Sequence, residues 1–341
     1  MSLNKFTVFD NIKVTMPEQW NHKIFGIEKG GFEQLSLQIF RFQFVNNAIY
    51  RAYVQALAIN PDFVSSVEQI PFLPVSFFKT HDIKTTDFKP AVIFESSGTT
   101  ATGNSRHLVK DLILYEESFL GCFQQFYGKV NEWCIIGLLP SYLQKGNSSL
   151  VYMVNQLISD SGHAQSGFYL DEFEKLYTVL QKQEEKKQKT LLIGVTFALL
   201  DFAEKYAVQL NHTTILETGG MKGRRREMIR SEVHSILQDS FGQANIHSEY
   251  GMTELLSQAY SKAGGVFNCP PWMKVLIREE EDPLLIKKQG TGLINVIDIA
   301  NVYSCSFIAT DDIGKLYPNG SFEVLGRRDG SDLRGCSLML V

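Results

Sequence analysis

Phe94-Glu95-Ser96-Ser97-Gly98-Thr99-Thr100-Ala101-Thr102-Gly103-Asn104 follows the strand-like run Ala91-Val92-Ile93-Phe94 and crowds Ser and Thr hydroxyls and two glycines into one short loop. Glycine lets a backbone approach a bulky anion closely, and Ser/Thr hydroxyls donate hydrogen bonds to phosphate oxygens. Successive backbone N–H groups in such a turn make an anion-binding concavity. The stretch therefore reads as a phosphate loop, and the loop alone also permits a polar surface linker. No Gly-Lys-Ser/Thr follows, so it is not the P-loop of mononucleotide NTPases. It also lacks the spaced glycines of a dinucleotide fold.

Outward from the loop, strand and helix patterns alternate. Residues 17 to 60 read mainly as helix, broken by Ile70-Pro71-Phe72-Leu73-Pro74. A helix is predicted from about Asp111 to Phe126. Trp133 to Leu139 is a continuous apolar run of the kind a buried parallel strand shows. Helices are predicted over Ser148 to Ser159, after an Asp171 cap, and over Ala198 to Val208. Strands are predicted over Thr190 to Val195 and Thr214 to Glu217. Gly219-Gly220 is expected to turn into a helix from Arg224 to Leu237, and short strands, including 292–299 and 304–309, dominate after Gly264. The alternation predicts an α/β architecture with largely parallel sheets and ligands beyond the strands' carboxyl ends.

The chain has 341 residues, enough for two or three packed subdomains, with 44% apolar and 21% charged residues, as in soluble globular proteins. A net charge of -4 gives no reason to expect nucleic acid, and Lys222-Gly223-Arg224-Arg225-Arg226 reads as a solvated helix start. The five cysteines (Cys122, Cys134, Cys269, Cys305, Cys336) form no C-x-x-C pair, which points to free thiols in a reducing compartment. The amino terminus lacks a signal-peptide core, and no apolar stretch is long enough to span a bilayer. A cytoplasmic protein without a transmembrane segment is the expectation.

Four further segments follow the loop in order: Glu217-Thr218-Gly219-Gly220-Met221, Glu249-Tyr250-Gly251-Met252-Thr253-Glu254, Ala309-Thr310-Asp311-Asp312-Ile313-Gly314 and Leu325-Gly326-Arg327-Arg328-Asp329. Each alone has a plain structural explanation. Tyr250 could be a core aromatic, Glu254 a helix-start carboxylate and Asp311-to-Gly314 a turn. Together they resemble the signature set of the adenylate-forming (AMP-binding) superfamily. Residues 70–79 and the terminal Arg334-Gly335-Cys336-Ser337-Leu338 narrow this to a resemblance to acyl-protein synthetases of the LuxE type, from about residue 15 to the end.

The resemblance implies an α/β fold: the large N-terminal domain of an adenylate-forming enzyme, with mixed sheets flanked by helices and a truncated C-terminal lid. The domain would cover residues 1–326, with a short tail at 327–341. It implies ATP and Mg2+ as cofactors and a fatty acid as substrate. Ser96, Ser97, Gly98, Thr99, Thr100 and Gly103 would hold the β- and γ-phosphates. Gly219, Gly220 and Met221 would border the adenine, Tyr250 would pack on the base, and Gly251 would belong to the same nucleotide-binding set. Thr253 would reach the α-phosphate, Glu254 would hold Mg2+, Asp312 would accept from the ribose hydroxyls, and Arg327 would meet the ribose or the α-phosphate charge. Cys336 would receive the acyl group. Arg334 nearby would favour its thiolate, and roughly 30 Å of extended chain could separate it from Arg327. The alternative for Cys336 is a small buried hydrophobe.

Only 12 residues follow Asp329, so the lid lysine of other superfamily members has no counterpart in sequence order. Lys79, Lys110 and Lys315 are available and nothing selects among them. Residues 138–142, 148–158 and 162–168 resemble the acid-site region, with His163 favoured as an ordinary loop histidine. The resemblance also allows acyl reductase or acyltransferase partner subunits and an oligomer. Two other functions fit the same motifs: an acyl- or aryl-CoA ligase, and a non-catalytic nucleotide-binding subunit of a fatty-acid reductase complex.

Overall fold

The computed structural model describes residues 20–28, 30–96, 103–139, 147–170, 172–220 and 228–328. Its amino-terminal helices are α1 (Trp20–Phe25), α2 (Phe32–Asn46), α3 (Ala48–Ala56) and α4 (Phe77–Thr80), with the two-residue strand β1 (Leu73–Pro74) before α4. Next come β2 (Val92–Glu95), β3 (Arg106–Val109), α5 (Leu112–Tyr127), β4 (Cys134–Leu138), α6 (Ser149–Ser161) and β5 (Gly167–Phe168). The middle of the chain holds α7 (Phe173–Glu185), β6 (Thr190–Gly194), α8 (Thr196–Lys205), β7 (Thr213–Glu217), α9 (Arg230–Phe241) and β8 (His247–Tyr250). After these come β9 (Ala259–Ser261), β10 (Val266–Phe267), β11 (Met273–Arg278) and β12 (Ile286–Lys287). The last strands are β13 (Gly290–Asp298), β14 (Phe307–Leu316) and β15 (Phe322–Arg327).

Local chemistry sets several of these boundaries. Asp111 caps α5 by accepting from the Ile113 N–H, and Ser148 caps α6 by accepting from Val151. Gly162 ends α6 in the left-handed conformation, which glycine adopts without a side-chain penalty. Every residue of β4 and β6 is buried, and their unbroken apolar runs are what burial on both faces demands. These strands form one sheet in the order β5-β4-β6-β7-β8-β9, parallel except for β9, with the β4-to-β8 strands linked through helices.

A second, largely antiparallel sheet runs β10-β15-β14-β13-β11-β12. β1 joins it by parallel pairing with β14, Leu73 opposite Ile308 and Pro74 opposite Ala309. Phe307 on β14 lies among the rings of Phe40, Tyr50 and Phe72, so the first helices seal one face of this sheet.

Three readings, one of them the plain alternative of a turn at Asp311–Gly314, need correction. The Glu95-to-Gly98 segment does not end a strand of a parallel sheet, because β2 and β3 form a separate antiparallel hairpin with the glycine loop as its connection. Asp311 and Asp312 lie within β14, paired to β15, rather than in a turn. The helix expected from Arg224 starts at Arg230, and residues 221–227, which hold the basic cluster, lie outside the described residues. Arg230 fixes that start by tertiary contact: its guanidinium lies 5.1 Å from the Phe267 ring centre and donates to the Val324 carbonyl at 3.1 Å. The Asp171 cap also lies outside the described residues, and α7 follows Glu172.

Candidate active site

Two strand ends of the parallel sheet, β7 and its neighbour β8, set the site's base. β7 runs into Thr218-Gly219-Gly220, where both glycines have positive φ (75° and 97°), a conformation costly for any residue with a Cβ. The carbonyls of Gly219 and Gly220 accept from the Thr196 and Phe197 amides at the start of α8. Glu217 locks the turn from beneath, accepting from the Gly219 N–H at 2.6 Å and from the Thr196 hydroxyl. Burial pushes the Glu217 carboxyl up, but the His234 ring, the Arg230 charge and the Thr196 hydroxyl outweigh burial and hold it below the ordinary range. His234 reaches from α9 to Glu217 at 3.9 Å and to Ser248 of β8 at 3.2 Å, tying the two strand ends together.

β8 ends at Tyr250, which joins the two sheets. Its ring meets Phe267 and Phe322 edge-on, and its hydroxyl donates to Asp312 Oδ2 at 2.8 Å. Asp312 of β14 lies directly opposite Arg327 of β15, and Arg327 Nε stands 3.4 Å from Asp312 Oδ1. Tyr250 and Arg327, far apart in sequence, thus share the Asp312 carboxylate. Strand alternation separates Asp312 from Asp311, whose carbonyl accepts from the Arg328 amide.

Beyond Tyr250, the segment to Glu254 leaves the sheet. Gly251 is exposed, and a Cβ there would stand 2.2 Å from Glu249 Oε1, so a side chain at 251 would require the Glu249 carboxylate to swing aside. Glu254 is fully buried. The backbone around it is anchored four times. The Thr253 carbonyl meets His107 Nδ1 at 2.8 Å and the Glu254 carbonyl accepts from Asn301 Nδ2 at 2.8 Å. The Leu256 and Ser257 amides both donate to Asp298, at 2.8 and 2.9 Å. Burial pushes the Asp298 carboxyl up to about 6 against the pull of these donors.

The β2–β3 hairpin reaches this segment through His107. The loop's neck is closed by Ser96, whose N–H donates to the Ser105 carbonyl at 3.0 Å and whose hydroxyl accepts from the Ser105 N–H at 2.9 Å. Gly103 is exposed and has a φ of 85°. Ser97, Gly98, Thr99 and Thr100 lie outside the described residues, as do Met221 and Cys336.

Of the residues singled out from sequence, Gly219, Gly220 and Tyr250 stand at strand ends of the parallel sheet, Gly251, Thr253 and Glu254 on the segment beyond it, Asp312 and Arg327 on the second sheet, and Ser96 and Gly103 on the hairpin. The sequence reading passed over His107, Asn301, Asp298, His234 and the structural work of Glu217. Asp298 and Asn301 did carry a signal, as polar residues inside the apolar run 293–302, where burial requires a partner.

Glu249 is the other ionisable group of interest. Surface accessibility leaves it part-exposed, yet protein atoms surround the carboxyl, and burial followed by the nearby Glu217 charge pushes it up to about 8. A carboxyl whose folded pKa is raised favours the folded state below its ordinary pKa, and that advantage is lost as pH rises toward the folded value. Glu249→Gln is therefore expected to be more stable than the parent at pH 8, by at least about 1 kcal/mol at 1.36 kcal/mol per unit, and to lose that advantage by pH 4. Thermal melts at the two pH values check this, and equal melting differences would contradict it.

The described cysteines are poor nucleophiles. Cys122, Cys134 and Cys305 are buried, and Cys269 is half-buried. Burial pushes the thiols of Cys134 up to about 11 and of Cys269 and Cys305 up to about 12. Lys110 is engaged over the Tyr303 ring at 4.0 Å, and Lys315 over Tyr317 at 5.0 Å. His163 accepts from the Gln165 amide within its own loop, as a loop histidine does. Among the described residues no group of three or more His, Cys, Asp or Glu side chains could hold a metal. Nor, among them, is any helix long and apolar enough to cross a membrane.

A family model, acyl-protein synthetase LuxE, matches residues 28–341. The chain belongs to the LuxE acyl-protein synthetase family. It is 22% identical to the long-chain-fatty-acid–luciferin-component ligase of Vibrio harveyi, across 97% of this chain and 92% of that protein. Two ligase structures show the fold that this LuxE-family chain shares. ATP-bound MatB from Rhodopseudomonas palustris superposes with a TM-score of 0.54 at 16% identity, over 71% of this chain and 50% of its own. The 2-hydroxyisobutyryl-CoA ligase in complex with 2-HIB-AMP and CoA does so with a TM-score of 0.64 at 12% identity, over 93% of this chain and 70% of its own. The fold is that of adenylate-forming enzymes, and the chain spans about half the length of MatB.

Proposed function

We propose that this chain activates a fatty carboxylic acid with ATP and receives the acyl group on its own Cys336 thiol, for hand-over to a partner such as an acyl reductase. Family membership supports the reading, and the observation that carries it is the meeting of Tyr250, Asp312 and Arg327, with Glu254 on the anchored segment that follows Tyr250. Such a site offers a flat aromatic, a carboxylate suited to two vicinal hydroxyls and a guanidinium on the two sheets, with a hard-oxygen ligand on the segment between them.

In the first half-reaction a carboxylate oxygen attacks the α-phosphorus, the bond to the bridging oxygen breaks, and pyrophosphate leaves. Phosphoryl transfer of this sort depends on in-line positioning and charge neutralisation rather than on a protein nucleophile. The Ser96-to-Gly103 loop would hold the departing phosphates and Arg327 would meet the charge on the α-phosphate. Gly219 and Gly220 would leave a slot for the base. Mg2+ fits the donor set: it is commonly held by one or two carboxylates plus substrate phosphates, and Glu254 is the one buried carboxylate on this segment. When bound, it would neutralise phosphate charge.

In the second half-reaction the Cys336 thiolate attacks the acyl carbonyl, AMP leaves with the former carboxylate oxygen, and the thiol proton passes to solvent. The elevated pKa values of the described cysteines favour Cys336 by contrast. ATP–pyrophosphate exchange scanned over carboxylic acids of graded chain length, followed by intact mass, tests both halves. Exchange absent with every acid would overturn the proposal and favour a nucleotide-binding subunit. Exchange with acyl transfer to CoA and no mass gain would favour a CoA ligase.

A further inference from the structure

We infer that Arg278 is a positioning residue that holds a bulge in β14 and, through it, sets the Asp312 carboxylate for the nucleotide's ribose. β13 and β14 pair regularly on both sides of the bulge, from Gly290 opposite Leu316 to Leu293 opposite Ile313, and again from Asn295 opposite Ala309. Between these stretches Ile294 alone on β13 stands against Thr310, Asp311 and Asp312 of β14. Arg278, the last residue of β11, pairs with Leu293 and sends its side chain across β13 to this place. Its Nη1 donates to the Ile294 carbonyl at 2.9 Å and to Asn295 Oδ1 at 2.7 Å, and its Nη2 donates to the Thr310 carbonyl at 2.5 Å. The Thr310 hydroxyl donates to the same Ile294 carbonyl at 2.9 Å and accepts from the Asp312 amide at 3.2 Å. Guanidinium and hydroxyl together give partners to the backbone of Ile294, Thr310 and Asp312 within the bulge.

An unbroken sheet would have no use for a cation here. Arg278 is buried, and burial pulls its guanidinium down to about 10 against the pull of the Asp311 charge. An apolar side chain beside regular pairing would avoid that desolvation. What a bulge changes is aim: it bends the strand and redirects its side chains, and bulges are over-represented beside active sites. The excess is confined to the three residues that include Asp312, and pairing with β15 shifts register at the next step, between Ile313 and Gly314. From this bulge the Asp312 carboxylate meets the Tyr250 hydroxyl at 2.8 Å and Arg327 Nε at 3.4 Å. Arg278 donates to neither Asp312 oxygen. Its bond to β14 ends on the backbone of residue 310, so it acts on the carboxylate through the course of the strand.

The inference rests on the proposed adenylation, with Asp312 accepting from the ribose hydroxyls, and the experiment keeps the two apart. Affinities for ATP and for 2′,3′-dideoxy-ATP are measured by titration calorimetry with Mg2+ present, beside the fatty-acid KM in pyrophosphate exchange. The parent is expected to prefer ATP by about 10–100-fold, the worth of hydrogen bonds to a charged acceptor. Arg278→Met should lower that preference about 5–50-fold by weakening ATP, with dideoxy-ATP affinity and fatty-acid KM kept within about twofold. Arg278→Lys keeps the charge on one nitrogen in place of the fork and should recover part of the preference. Thr310→Val changes no charge and should lower the preference in the same direction. In an Asp312→Asn background, Arg278→Met should alter the preference less than about twofold, because both act through one carboxylate. An unaltered preference in Arg278→Met, or equal weakening of both nucleotides, overturns the inference, as does the full Arg278→Met effect in the Asp312→Asn background. If Arg278→Met does not fold, Arg278→Lys and Thr310→Val decide: a lowered preference in both supports the inference, and an unaltered one in either overturns it. A parent that binds both nucleotides equally, or a preference that survives Asp312→Asn, overturns the ribose reading of Asp312 and the inference with it. A parent that binds neither nucleotide overturns the adenylation reading as a whole.

Discussion

Glu254→Gln is expected to reduce fatty-acid-dependent ATP–pyrophosphate exchange by about 10²–10³-fold, the usual cost of removing one preorganised electrostatic contact to a reacting phosphate or oxyanion. The substitution is nearly isosteric, and the backbone on both sides of residue 254 is held by His107, Asn301 and Asp298. The polypeptide around the site should therefore keep its place while the charge is lost. The loss should appear in kcat and in the Mg2+ requirement, with the melting temperature little changed. Exchange kinetics over a range of Mg2+ concentrations, with a melt beside them, measure this. A loss under about tenfold would remove Glu254 from the proposed site.

Cys336→Ser should separate the two half-reactions completely. Pyrophosphate exchange does not need the thiol and should persist near the parent rate. Covalent label from radioactive fatty acid plus ATP should fall to background, since a serine hydroxyl is a far weaker nucleophile near neutral pH without an adjacent base. Intact mass reads the same result as loss of the acyl increment. The other cysteines make this a clean experiment: with thiols held at about 11 to 12 by burial, Cys134, Cys269 and Cys305 offer little thiolate to substitute for it. Persistent thioester in Cys336→Ser would place the acceptor elsewhere.

Much of the parallel sheet was legible because its signal is local. The runs at 133–139 and 190–195 are apolar on both faces, and only strands buried on both faces read that way. Asp111 and Ser148 announced their helices through side chains that cap. The hairpin was misplaced because Val92-Ile93-Phe94 reads the same whether its neighbour is parallel or antiparallel; pairing partners leave no trace in a single strand's pattern. The late start of α9 was hidden for a similar reason, since Arg230 is fixed by Phe267 and Val324 from distant strands. The motif residues Tyr250, Asp312 and Arg327 could be named from their segments, but not that Tyr250 and Arg327 share the Asp312 carboxylate. His107 gave no warning at all: a lone histidine in Arg106-His107-Leu108-Val109 becomes meaningful only when Thr253 and Asn301 are seen against it.

The pairing of β1 with β14 bears on how the protein comes into being. Leu73 and Pro74 leave the ribosome well before Ile308 and Ala309, the β14 residues they lie beside. Such distant pairings are slow to close. Until β14 and β15 are translated, Phe40, Tyr50 and Phe72 lack the Phe307 ring they pack around, and the nascent chain carries an uncovered aromatic surface of the kind that invites aggregation. The same late strands bring Asp312 and Arg327. Completion of the fold and assembly of the proposed nucleotide site are thus one event.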